Sequence, residues 1–157
     1  MIPLADFHLP YRVKPKGNSK DIKRFGGFTR LVDKDSVVAN QSLLTLAMRQ
    51  EVPERWTPPE GPLRVTYFIR FAWRKSESAK RRAAGGRPHD VRPDLGNLCK
   101  MLDDCLVKSG WIKDDAQIAS YGETQKVWTD ADGVGVVIEA FGSHDSATGK
   151  GLRLATD

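Results

Sequence analysis

Asp94, Lys100 and Asp115 are of the types, and in the spacing, that phosphodiester chemistry uses. Breaking such a bond needs a hard cation to neutralise the non-bridging oxygens and help ionise a water, and Mg²⁺ takes carboxylates and waters as ligands. Asp94 follows Pro93 at the head of an apolar-periodic run, and Asp115 stands where the turn Lys113-Asp114 leads into the next strand. A helix packed on that strand would bring the two carboxylates together. Lys100, one to two helical turns along, is placed to stabilise charge building on a phosphate. Taken singly, each residue has a plainer reading: a helix N-cap, a solvated turn and an exposed lysine. Asp104 shares the helix face of Lys100, where an i,i+4 ion pair is the simpler assignment.

The two halves of the constellation are more specific together. Arg92-Pro93-Asp94-Leu95-Gly96-Asn97-Leu98-Cys99-Lys100 is followed, one helix length later, by Trp111-Ile112-Lys113-Asp114-Asp115-Ala116-Gln117-Ile118. This pair resembles the RusA-type Holliday-junction resolvases, which carry Asp-Leu-Asp-Asn-Leu-x-Lys opening a helix and hydrophobic-Asp-Asp-x-Gln-hydrophobic opening a strand. The likeness runs from Arg92 to Tyr121, with looser agreement in the order of elements around it. It implies that Asp94 and Asp115 are ligands of a catalytic Mg²⁺, with Mn²⁺ able to substitute and no small-molecule cofactor, and that Lys100 assists at the scissile phosphate. It further implies a homodimer that nicks four-way junctions and other branched DNA, leaving 5′-phosphate and 3′-hydroxyl ends, in phage recombination or debranching. Gly96 stands where the family has its second aspartate. Water in that place, Asp90 or Asp104 moving into it, and weakened activity are the alternatives. Two rival functions follow: a junction-binding protein without cleavage, and a general nucleic-acid-binding module.

The elements that must position these residues are read from periodicity. Val38, Leu43, Leu44, Ala47 and Met48 predict a helix from Ser36 that Pro53 limits. Val65, Tyr67, Ile69, Phe71 and Trp73 alternate with Arg64, Thr66, Phe68 and Arg70, predicting a strand whose aromatic side chains are core rather than stacking platforms. A second helix is predicted from Leu95 to Lys108 and ended by Gly110, its apolar stripe running through Leu98, Cys99, Leu102, Cys105 and Leu106. A polar strand from Gln117 to Trp128 and another from Val134 to Phe141 read as a hairpin about Asp130-Ala131-Asp132-Gly133. Residues 1–35 read as irregular apart from a strand at Phe28–Val32, and 74–92 as a mobile basic loop whose Lys80, Arg81, Arg82 and Arg87 face DNA phosphates. A solvating insert is the alternative reading of that loop. The resulting expectation is one α+β domain over residues 1–142, a small mixed or antiparallel sheet with two main helices on one side, dimeric, followed by a disordered tail over 143–157.

Composition sets outer limits. The formal charge of +5 favours a polyanionic partner. Two cysteines, Cys99 and Cys105, predicted within one helix, support neither a disulfide framework nor a four-ligand zinc site. With no signal pattern and no apolar run of membrane length, the expected location is the cytoplasm, away from membranes.

Overall fold

The computed structural model describes residues 1–15 and 20–142, with only the backbone of Asp33. Eight strands and three α-helices follow in the order β1 (Ile2–Leu9), β2 (Lys20–Phe25), β3 (Phe28–Asp33), α1 (Asp35–Glu51), β4 (Leu63–Ala72), α2 (Ala79–Ala83), β5 (Arg87–Pro88), α3 (Leu95–Ser109), β6 (Ile118–Tyr121), β7 (Gln125–Thr129) and β8 (Gly133–Ala140). The main sheet is mixed, ordered β1-β8-β4-β7-β5 with β6 also on β4, while β2 and β3 form a separate ribbon. This is the expected α+β architecture. The tail over 143–157 lies outside the described residues.

β4 is the organising strand. Its odd-numbered residues Leu63, Val65, Tyr67, Ile69 and Phe71 are buried and its even-numbered ones half-buried, the period of a pleated strand with one face on the core. α1 and α3 close that core. α3 buries Leu98, Met101, Leu102, Cys105 and Leu106, and ends at Gly110, whose φ of 88° suits a residue without Cβ. α1 buries Leu44, Ala47 and Met48 as the pattern predicts, but Val38 and Leu43 face solvent and Val37 and Asn40 turn inward in their place. Trp111 locks the end of α3, stacking on Phe7 at 4.8 Å and donating from Nε1 to the Met48 carbonyl at 2.9 Å.

The hairpin expected near the C-terminus does not form. β8 pairs antiparallel with β4 and β7 pairs parallel with it, so β4 lies between them. The turn residues Asp130–Gly133 mark a chain reversal in either topology, which is why local sequence could not separate the two. The strand predicted over Gln117 to Trp128 is broken at Gly122–Thr124. Here Thr124 Oγ1 replaces a ladder carbonyl by accepting from the Tyr67 amide at 3.0 Å, and a Cβ on Gly122 would lie 2.1 Å from Thr66 Oγ1. The N-terminus is not irregular either: β1 pairs with β8 and buries Phe7 and Leu9. Pro3 and Pro10 obscured it, and an edge strand tolerates proline at its start. The segment 74–92 contains α2 and β5 and delivers His89, 4% exposed, to the core.

Candidate functional site

The two candidate carboxylates sit at the head of α3 and in the turn that follows it. Asp94 is the N-cap of α3 in extended conformation, yet its side chain makes no capping hydrogen bond and is exposed. An N-cap carboxylate normally satisfies one of the first helical amides. Here it is left to other uses. The approach to Asp94 is held by Lys126 of β7, whose Nζ donates to the carbonyls of Val91 at 2.5 Å and Pro93 at 2.6 Å. Burial holds the Lys126 ammonium below its ordinary value, and Asp94 and Asp90 oppose that by favouring its charge.

Asp114 and Asp115 divide the labour of the following turn. Asp114 caps a 3₁₀ turn over Asp115–Gln117, accepting from the Ala116 amide at 2.8 Å. Gln117 completes the box: its Oε1 accepts from the Lys113 and Asp114 amides, and its Nε2 donates to the carbonyls of Pro59 at 2.9 Å and Gly61 at 3.1 Å. Lys113 pairs with Glu60 across the same junction. Asp115 is exposed and has no side-chain hydrogen bond or ion pair among the described residues. It is the free carboxylate of the pair.

Asp115 acts on a residue that helical periodicity does not single out. Asp103, 7% exposed in the middle of α3, accepts from the hydroxyls of Tyr67 at 2.6 Å and Tyr121 at 2.5 Å. Burial raises its carboxyl above the ordinary aspartate value; the two tyrosine bonds counter this, while the charges of Asp115 and Asp104 add to it. Nothing in a helical pattern distinguishes a buried Asp103 from its neighbour Asp104, which is half-buried and accepts from Gln41 Nε2 at 3.4 Å. Only the tyrosines on β4 and β6, distant in sequence, explain its burial. Asp103→Ala leaves the fully buried Tyr67 hydroxyl without an acceptor and is expected to cost about 1–3 kcal/mol in urea unfolding at pH 7. Asp103→Asn retains an acceptor and is expected to cost less. Because the folded carboxyl is raised, its contribution to stability is complete below the unfolded value near 3.8 and is lost as pH rises through the folded value. Stability of Asp103→Asn relative to wild type is thus expected to improve as pH climbs through that window.

Lys100 is exposed on α3, with no hydrogen bond or ion pair among the described residues. The four basic residues expected to meet DNA differ among themselves. Arg81 and Arg87 flank Glu77 at 3.5 and 3.7 Å, and Arg82 turns back to the Arg74 carbonyl at 2.8 Å. Lys80 is exposed beside them on α2. Cys99 is buried, and burial pushes its thiol up to about 11, which makes it unreactive at neutral pH.

Among the described residues, no group of three or more His, Cys, Asp or Glu side chains is arranged to hold a metal ion. Gly96 adds no ligand, and a Cβ built on it meets nothing within 4 Å. Mg²⁺ ordinarily keeps several waters and takes one or two carboxylates together with substrate phosphates. Asp94 and Asp115 are both exposed carboxylates, the ligand type that Mg²⁺ takes. No helix among the described residues is long and apolar enough to cross a membrane.

A family model described as endodeoxyribonuclease RusA matches residues 10–139 of the chain. That span includes both aspartates, the basic segment and the whole of β4. No curated protein matches the sequence.

Proposed function

From the chain's membership of the RusA endodeoxyribonuclease family, hydrolases of DNA phosphodiester bonds that resolve Holliday junctions, we propose a Mg²⁺-dependent nuclease for branched DNA whose working groups are Asp94, Asp115 and Lys100. The observation that carries this assignment is the division of roles at the turn: Asp114 and Gln117 are consumed in building it, and Asp115 is left exposed. Asp94, uncommitted at the head of α3, supplies the second carboxylate. A bound Mg²⁺, or Mn²⁺ in its place, would neutralise non-bridging phosphate oxygens and lower the pKa of the attacking water. Lys100, on the same helix as Asp94, is suited to stabilise the oxyanion as the bond breaks. The products are 5′-phosphate and 3′-hydroxyl ends that a ligase can seal.

Resolution of a four-way junction needs paired nicks, which a twofold homodimer delivers. Exposed Ile22, Phe28 and Leu31 on the β2–β3 ribbon and Leu46 on α1 support a second copy as partner. A cytoplasmic role in phage recombination or debranching fits these properties.

Lys80, Arg81, Arg82 and Arg87 supply the phosphate contacts of the duplex arms. Changing all four to glutamine is expected to flatten the dependence of log K on log salt by roughly 0.9 for each phosphate no longer neutralised. The thermal midpoint should fall modestly, because Arg81 and Arg87 flank the largely buried Glu77. An unchanged slope in filter binding across salt concentrations would remove this segment from the DNA interface.

A further inference from the structure

Beside the cap of α3 the fold holds a cavity of about 680 Å³, within the size range of small-ligand sites. Part of its wall is aromatic. Trp73 lies 13° from parallel with Trp128 at 6.4 Å, Trp128 stacks on His89 at 4.1 Å, and Phe71 packs on His89 at 4.6 Å. Much of the rest is cationic: Arg12 and Lys14 come from the segment after β1, Arg74 and Lys75 from the segment after β4, and Arg92 from the approach to Asp94. Among the described residues Asp132 is the one carboxylate in the lining, and Arg12 already holds it at 3.2 Å.

The cavity is built from fixed parts. Asn40 of α1 donates to the Arg12 carbonyl at 2.7 Å and accepts from the Lys14 amide at 2.9 Å. Asp132 accepts from the Ala72 amide at 2.8 Å, and the Arg74 guanidinium lies 5.3 Å from the Trp128 ring centroid. His89 is buried with its Nδ1 lacking any hydrogen-bond partner among the described residues, an unmet polar requirement in the wall. Burial first, and Lys126 second, hold this imidazole below its ordinary value. Trp73, which the sequence pattern assigns to the core, is only partly buried, because β4 ends at Ala72 and Trp73 lies past the pleat.

We propose that this cavity takes one unpaired nucleotide of a branched DNA, its base against Trp73, which the buried Trp128–His89 stack backs, and its phosphate among Arg74, Lys75 and Arg92. Aromatic faces stack any base, and the cations hold the backbone without reading sequence. A base paired within a continuous helix cannot enter; a nucleotide freed at a branch or bulge can. Only Pro93 separates Arg92 from Asp94, so a nucleotide held here brings its neighbouring phosphodiester toward the carboxylate. This assignment rests on the nuclease reading and adds a preference, within that reading, for branches that carry an unpaired nucleotide.

The test uses the full chain in EDTA, so that nothing is cut, with 2-aminopurine as a single unpaired nucleotide at the branch of a four-way junction. Controls are a fully paired junction, a plain duplex and a duplex with the same bulge. The expected result is quenching of the probe and about fivefold or greater preference for each bulged DNA over its paired counterpart. Trp73→Leu removes both effects while affinity for the paired junction holds. The double variant Arg74→Gln/Lys75→Gln weakens the bulged DNAs more than the paired ones and carries the test if Trp73→Leu does not fold. Equal affinity for bulged and paired DNA, an unquenched probe, or a preference that survives both variants would overturn the proposal. So would saturable binding of free dTMP without any bulge preference, which marks a small-molecule site. Bulge preference on linear duplex without any preference for the paired junction over plain duplex would sustain the cavity and overturn the resolvase reading instead.

Discussion

Asp115→Asn is expected to lower metal-dependent junction cleavage by on the order of 10²–10³-fold while shifting folding stability by no more than about 0.5 kcal/mol. The two effects separate because of how the turn is built. Asp115 is exposed and makes no hydrogen bond among the described residues, while the turn geometry is secured by Asp114 on the Ala116 amide and by Gln117 on Pro59 and Gly61. Amidation therefore removes a charged oxygen donor and leaves the turn intact. Asp114→Ala is the informative contrast, since it deletes a cap and should reduce stability and activity together. A further signature lies in Asp103, whose carboxyl Asp115 raises: in Asp115→Asn it should titrate lower than in wild type, a shift that carboxyl NMR reads directly. Single-turnover cleavage rates, melting curves and that titration give three readouts from one variant.

Gly96→Asp is expected to raise metal-dependent cleavage by on the order of tenfold, about 1.4 kcal/mol of barrier. Gly96 is the second residue of α3, two positions after Asp94, and nothing lies within 4 Å of a Cβ there. The aspartate side chain thus enters open space at a helix N-terminus, where negative charge is stabilised by the macrodipole. Replacing a helical glycine also removes about 0.5–1 kcal/mol of backbone entropy cost, so the variant should not be destabilised. A third carboxylate beside Asp94 would enlarge the proposed donor set. Lower half-saturating Mg²⁺ together with a higher rate is the predicted outcome. An unchanged rate at every Mg²⁺ concentration would mean that position 96 lies away from the reacting phosphate.

Much of this arrangement is legible in the order of residues alone. The alternation along β4, the stripe of α3 and the glycine that ends it are local signals, and each element forms where its pattern lies. Asp94 at the helix head and Asp115 after the turn are equally local. What stays hidden is non-local. β4 separates β7 from β8, a pairing decided by which strands bury Tyr67 and Ile69 rather than by the turn between them. Asp103 is identified only by Tyr67 and Tyr121, and Lys126 only by the carbonyls of Val91 and Pro93. The charged segment 74–92 conceals His89, whose burial depends on Phe71 and Trp128. Arg12 and Lys14 join the basic surface through Asn40, a contact between elements far apart in the chain.

The most direct test of the central claim is to incubate the full chain with an end-labelled four-way junction and a linear duplex of the same sequence, in Mg²⁺ and in EDTA, and to map the products. The account predicts paired, symmetric nicks in the junction that need Mg²⁺, carry 5′-phosphate ends and are absent from the duplex. Tight junction binding without cleavage at any Mg²⁺ or Mn²⁺ concentration would contradict it and leave a junction-binding protein in its place.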